Sequence, residues 1–338
     1  MNIAIRVDAS KKIGSGHFFR TFLIAKYLKK KFKIHFISNN LSKEYAKKLK
    51  KENFFLHNLN LKSNSITEDA KKTITRINTI NKKVELLIVD SYNLDFKSEK
   101  NIKKYVKKIF VIDDFKRKHY CDIYLNYNLN RINENYLPNY CQKLLGSKYI
   151  IINPVYLIQK NTNYTYSKPN IFIFMGGADS SNFTYQLIKF FNKEKILNMN
   201  FNIVLGINNQ NKEKIIKITN NLKNYKIYYN LNNLKNLILK SNLCITNGGQ
   251  VIWESVYSRK SNIIICKNKY KNEFIKKFKK KTKTHIIETE KKVSIKKLKI
   301  IKKILHNKNS YLINKLSKNN LLDGKGLNRI IKSIRTII

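Results

Sequence analysis

Cysteine and proline are scarce in this chain, acidic residues are heavily outnumbered, and no long apolar run occurs. The four cysteines (Cys121, Cys141, Cys244, Cys266) are widely spaced and form no C-x-x-C pair. That spacing argues against a zinc site or a disulfide framework and points to reduced thiols in a cytoplasmic protein. With no apolar stretch near the length of a membrane span, no spanning helix is expected. The first residues, MNIAIRVDAS, open on an alternating apolar pattern instead of the apolar core of a signal peptide. Tandem repeats of solenoid period are absent as well.

The shortage of acids leaves 69 Lys and Arg against 21 Asp and Glu, a formal charge of +48. Such an excess ordinarily suggests nucleic acid or anionic lipid as a partner. Here the lysines run through the whole chain without forming an arm or stripe, and asparagine and isoleucine are abundant beside them. We read the excess as compositional, as from a genome rich in A and T codons. No RNA- or DNA-reading motif is visible, so a nucleic-acid-binding protein is the remote alternative, and no nucleic-acid partner is expected.

What is present is enough for two packed cores: 338 residues, of which 42% are hydrophobic. In the first half, strands are expected at Asn2–Asp8, Lys33–Ser38, Glu85–Asp90, Ile109–Asp113 and Asp122–Leu125. Helix-length stretches such as Phe18–Lys30 and Leu41–Lys51 lie between them. The polar segment Gln159–Asn170 holds one of only three prolines and reads as a linker. A second series follows, with strands at Asn170–Met175, Phe201–Leu205, Lys226–Tyr229, Asn242–Thr246 and Asn262–Cys266. Helices are expected there at Asn182–Asn192, Lys212–Asn221, Leu231–Ser241 and Val251–Ser258. The alternation predicts two α/β domains on mostly parallel sheets, 1–160 and 168–310, and a helical tail over 311–338.

Four segments could carry chemistry. In Val7–Arg20 (VDASKKIGSGHFFR), a strand ends at Asp8 and a loop with Gly14 and Gly16 leads to a helix starting near His17. Glycines let a backbone turn tightly and approach a ligand, and a new helix offers unpaired N–H groups. The positive end of the helix dipole favours neutral, basic His17; the alternative is a histidine that only caps the helix. In Leu86–Tyr92 (LLIVDSY), a strand delivers Asp90 and Tyr92 to the carboxyl end of the sheet, where open α/β folds bind ligands. Asp90 would orient a base or a sugar hydroxyl, or else cap the next helix. The next strand ends in Asp113–Asp114, for which loop and capping roles are favoured because no nearby His or Glu completes a metal site. In Phe172–Thr184 (FIFMGGADSSNFT), Gly176 and Gly177 suit a pyrophosphate cradle or simply a tight turn, with Asp179 among the residues that can start the helix. In Cys244–Val256 (CITNGGQVIWESV), Gly248 and Gly249 suit phosphate, and Glu254 one turn later could hold ribose hydroxyls or face solvent. Trp253 is more readily a core residue than a stacking platform.

Taken together, D-x-S-x-x-I-G-x-G-H-x-x-R, D-x-Y, M-G-G-x-D and G-G-x-x-x-W-E, in this order, resemble one family. It is the UDP-2,4-diacetamido-2,4,6-trideoxy-β-L-altropyranose hydrolases of pseudaminic acid biosynthesis, and the resemblance runs on to Asp323–Arg329 (DGKGLNR). It implies a GT-B-like α/β fold, two Rossmann-like domains with a substrate cleft between them. The C-terminal domain would hold UDP, and the N-terminal domain the sugar and the attacking water. His17, Tyr92 and Asn268 fall where the family places active-site residues, with His17 as general base. Lys269 stands where the family has a glutamine. Substrate binding is expected of Asp8, Gly14, Gly16, Arg20, Asp90, Gly176, Gly177, Asp179, Gly248, Gly249 and Glu254. A monomer with a UDP-sugar substrate, and with neither cofactor nor metal, is implied. The nearest alternative is a UDP-sugar glycosyltransferase of the same fold.

Overall fold

The computed structural model describes all residues except 10–14, 40, 64, 116, 129–135, 159–166, 232, 267–283, 291 and 308–321. Gly14, Asn268, Lys269 and most of the expected linker thus lie outside the described residues. The chain divides into two units, Met1–Ile151 with Leu321–Ile338, and Ile152–Asn320.

The first unit is built on a seven-stranded sheet of β1 (Asn2–Val7), β2 (Lys33–Ser38), β3 (Phe55–Asn58), β4 (Val84–Asp90), β5 (Val106–Ile112), β6 (Ile123–Asn126) and β7 (Gln142–Leu145). All its pairings are parallel, in the order β3-β2-β1-β4-β5-β6-β7. Buried on both faces, β1 and β4 read as nearly continuous apolar runs, NIAIRV and VELLIVD. Helices α1 (Gly16–Leu28), α2 (Lys43–Lys51), α3 (Ile66–Asn78) and α4 (Phe96–Ile102) make the crossovers. Ser42, Ser65 and Asp95 cap α2, α3 and α4 through their side chains, whereas α1 starts at Ser15 without such a cap.

The second unit repeats the plan with six parallel strands. These are β8 (Asn170–Phe174), β9 (Asn200–Leu205), β10 (Tyr225–Tyr229), β11 (Leu243–Thr246), β12 (Ser261–Cys266) and β13 (Thr284–Glu288), ordered β10-β9-β8-β11-β12-β13. Its helices are α5 (Phe183–Lys193), α6 (Lys212–Thr219), α7 (Lys235–Leu239), α8 (Val251–Tyr257) and α9 (Ile295–His306). Phe191, Phe201 and Tyr225 stack through its core. The closing helix, α10 (Gly326–Arg335), belongs to the first unit. There Gly326 rests on the Ile150 carbonyl, which a Cβ would approach to 2.1 Å. Arg329 fastens the same helix by donating to the Lys148 carbonyl at 2.8 Å.

In both sheets the chain reverses its direction of winding once, between β1 and β4 and again between β8 and β11. Open α/β sheets take their ligands at the carboxyl ends of the strands at such a reversal. No described helix is long and apolar enough to cross a membrane. All four cysteines are free and buried, with the Cys121 and Cys141 sulfurs 3.6 Å apart.

Candidate active site

At the first reversal, Val7 pairs directly with Asp90, so whatever follows β1 meets whatever ends β4. His17 begins α1 there, and its Nδ1 lies 2.5 Å from Asp90 Oδ1. A carboxylate can only accept, so Nδ1 carries the proton and donates it. That fixes the ring's tautomer and leaves Nε2 with no hydrogen-bond partner among the described residues. Asp90 is buried, which alone would raise its pKa. The Arg20 charge, then His17 and their hydrogen bonds, outweigh burial and hold it down at about 2.

Arg20 is the anchor of the cluster. Its Nε and Nη2 donate to the two Asp90 oxygens at 2.6 Å each, and Nη1 donates to Asp114 at 3.1 Å and to the Tyr127 hydroxyl at 2.7 Å. Burial would lower its pKa, but Asp114 and Asp90 raise it well above the usual guanidinium value. With its donors spent on the protein, Arg20 positions Asp90. Tyr92 stands edge-on to the His17 ring, with centroids 4.9 Å apart, and donates its hydroxyl to Asp114 at 3.2 Å. Burial and the Asp114 charge raise the Tyr92 pKa far above the phenolic range, so it stays a donor.

The β5 end behaves differently from its sequence reading. A histidine lies beside Asp113 and links it to a glutamate: His119 Nε2 meets Asp113 at 2.8 Å, and Nδ1 meets Glu99 at 2.8 Å. Glu99 comes from α4 and His119 from the loop before β6, a meeting that only the fold produces. Burial would lower the His119 pKa, but its bonds to Asp113 and Glu99 raise it to about 9. Among the described residues no cluster of three or more His, Cys, Asp and Glu side chains is arranged to hold a metal. Asp114, read as a loop or capping residue, instead bridges Arg20 and Tyr92. Sequence reasoning also missed Tyr127 and Arg117, which donates to Asp113 at 2.8 Å and to the Tyr92 carbonyl at 3.2 Å. Both sit at or just past carboxyl ends of strands, which was the available signal.

Two acids expected to touch substrate are spent on the protein itself. Asp8 is ion-paired with Arg6 at 2.6 Å and accepts the Asn39 N–H at 2.8 Å; Arg6 in turn is held by Asp69. Asp179 accepts the N–H groups of Phe183 and Thr184 at 2.9 and 3.0 Å, capping α5. Burial nevertheless raises Asp179 to about 6. Gly16, by contrast, has room beside it: an added Cβ would meet no atom of the described residues within 4 Å.

At the second reversal the two glycine loops touch. Asn247 donates to the Met175 carbonyl at 3.0 Å and accepts from Gly249 N–H at 3.2 Å. Gly176 and Gly248 both have positive φ, and a Cβ on Gly176 would come within 2.8 Å of the Asn247 amide. Gly177 lies so close to Gly206 that a Cβ on the latter would sit 2.3 Å from the Gly177 carbonyl oxygen. Helix α8 then starts with no side-chain cap and carries buried Trp253 and Glu254. Burial raises Glu254 to about 7, which the neighbouring Tyr156 hydroxyl only partly offsets. Among the described residues that hydroxyl makes no hydrogen bond of good geometry.

Comparison with known proteins agrees with this architecture. Residues 170–333 match the glycosyltransferase family 28 C-terminal domain. Over 79% of its length the chain is 28% identical to UDP-2,4-diacetamido-2,4,6-trideoxy-beta-L-altropyranose hydrolase of Campylobacter jejuni, covering 92% of that protein. Among solved structures, S. aureus MnaA bound to UDP superposes with a TM-score of 0.66 at 13% identity, covering 100% of this chain and 98% of the other. Acinetobacter baumannii MurG gives a TM-score of 0.64 at 13% identity, over 99% and 100% of the two chains. The chain is therefore built on a GT-B-like fold of two parallel-sheet α/β domains, is similar to the Campylobacter hydrolase over most of its length, and matches the glycosyltransferase family 28 C-terminal domain over residues 170–333.

Proposed function

We propose that this protein hydrolyses a UDP-linked 2,4-diacetamido-2,4,6-trideoxy sugar to the free sugar and UDP, in pseudaminic acid-type nonulosonate biosynthesis. The observation that carries the mechanism is the 2.5 Å bond from His17 Nδ1 to Asp90, which leaves Nε2 as the basic nitrogen. The name of the Campylobacter relative supports the substrate class.

In this reading His17 Nε2 takes a proton from water as the water oxygen attacks the anomeric carbon. The bond to the UDP oxygen breaks on the opposite face, its electrons leave with UDP, and the sugar is released with inverted configuration. Ionised Asp90 stabilises the imidazolium that forms, and Arg20 keeps Asp90 ionised and in place. Tyr92 can donate to a sugar oxygen in exchange for Asp114. The glycine loops receive the diphosphate, and buried Glu254 accepts the ribose hydroxyls. Gly14 and Asn268 keep the roles that the family resemblance implies.

The match to a glycosyltransferase domain favours one second reading, transfer of the sugar to an alcohol. Reaction in ¹⁸O-labelled water tests both. Label in the free sugar, with none in UDP and inverted configuration at early times, is the expected result. Label in UDP would mean attack at phosphorus, and UDP release only on adding an alcohol acceptor would establish transfer.

A further inference from the structure

Beside His17 the chain exposes two aromatic rings on a rigid mount. Tyr92 and Phe115 are 39% and 43% exposed, with ring centroids 5.1 Å apart, and Tyr92 in turn contacts the His17 ring. A single exposed aromatic is ordinary and would carry no argument. What sets Phe115 apart is how firmly its backbone is held while its ring faces out. Its N–H donates to Asp113 Oδ1 at 3.0 Å. Its carbonyl accepts from the buried Tyr124 hydroxyl at 2.9 Å and from Asn126 at 3.4 Å. Asp113 is itself clamped by His119 and Arg117, and Arg117 lies over the far ring, 5.8 Å from the Tyr92 centroid. A largely buried ionic network thus fixes an exposed phenylalanine next to the proposed base.

We propose that Phe115, with Tyr92, forms an apolar ledge that receives the methyl-bearing parts of the sugar and makes Phe115 a specificity-determining residue. The chemistry fits a glycosyl group rich in methyls, from acetamido groups and a deoxygenated C6, and disfavours one that carries hydroxyls at those places. Aromatic faces cover such CH-rich surface well and leave hydroxyls short of partners. The identity of the sugar rests on the hydrolase reading above; the ledge itself rests on the geometry of Phe115.

The test compares wild type, Phe115→Ala and Phe115→Leu on UDP-2,4-diacetamido-2,4,6-trideoxyhexose and on UDP-glucose, by UDP release and by saturation-transfer NMR. Phe115→Ala should lower kcat/KM for the diacetamido substrate by about tenfold or more relative to UDP-glucose, while Phe115→Leu retains most of the preference. Saturation transfer to the acetamido and C6 methyl protons should be strong in wild type and lost in Phe115→Ala. An equal fall for both substrates, or an unchanged ratio, overturns the ledge. Should wild type release UDP from neither substrate, the hydrolase reading fails, and the methyl signals still decide the ledge. Their presence in wild type and loss in Phe115→Ala sustain it, and their absence in wild type overturns it.

Discussion

The two winding reversals are built alike and equipped in opposite ways. At β1/β4 the polar atoms satisfy one another: His17 on Asp90, Arg20 on Asp90 and Asp114, Tyr92 on Asp114. At β8/β11 fewer of them do. Among the described residues the Tyr156 and Thr246 hydroxyls find no hydrogen-bond partner of good geometry, the Glu254 carboxyl beside Tyr156 is buried, and α8 starts uncapped. A satisfied network holds a side chain at a fixed angle, which general-base chemistry needs. An unsatisfied one keeps desolvated acceptors and donors waiting for a ligand's own polar groups. On the proposed function, the first reversal would serve the chemical step and the second binding.

The hardest blow to the comparison would come from Asp90→Asn. Asparagine keeps the shape but can present its amide to His17 and reverse the tautomer, so turnover should fall by roughly 10²–10⁴-fold with UDP affinity unchanged. Steady-state kinetics beside calorimetric UDP titration would read both. A variant within a few-fold of wild type in turnover would show that the His17–Asp90 pair is structural.

The second site predicts a pH effect on binding. Burial holds the free Glu254 carboxyl at about 7, and donation by ribose hydroxyls favours its charged form and lowers that value in the complex. UDP should therefore bind most tightly above pH 7 and weaken as pH falls through it, by up to about tenfold per unit. Glu254→Gln should bind UDP about 10–100-fold more weakly at pH 8 and lose this pH dependence. The nucleotide's own titration is common to both proteins and cancels in the ratio. Parallel pH profiles for the two proteins would remove Glu254 from the ribose site.

The smallest effect separates two glycines. Gly206→Ala drives a methyl into the Gly177 backbone and should cost roughly 1–3 kcal/mol of stability. Gly16→Ala meets no atom of the described residues within 4 Å, so thermal unfolding should be unchanged while turnover drops as the methyl intrudes on the sugar. Full activity in Gly16→Ala would leave that open space without a part in substrate binding.

How much of this was legible in the sequence depends on where each strand lies in its sheet. The central strands announce themselves because burial on both faces demands unbroken apolar runs, as in Ile171–Phe174 and Ile263–Cys266. The strands absent from the sequence reading, β3, β7 and β13, are all sheet edges, with sequences such as FLHN and QKLL that bury little. The glycine loops were visible because glycine punctuates strand–helix turns. The partners of the site were not. Asp114 and Tyr127 lie 94 and 107 residues from Arg20, and no local pattern encodes such a meeting.

Sequence alone determined the alternation of strand and helix, the two-unit plan and the residue types at each strand's carboxyl end, because these follow from local periodicity and turn chemistry. Which of those residues become partners was decided by strand order. Once β4 pairs with β1, Asp90 lies across from the start of α1, and once β5 and β6 follow, Asp114 and Tyr127 close on Arg20. Asp8 and Asp179, by contrast, take donors close by in the chain, Arg6 and the first amides of α5, because a buried carboxylate takes the nearest donors on offer.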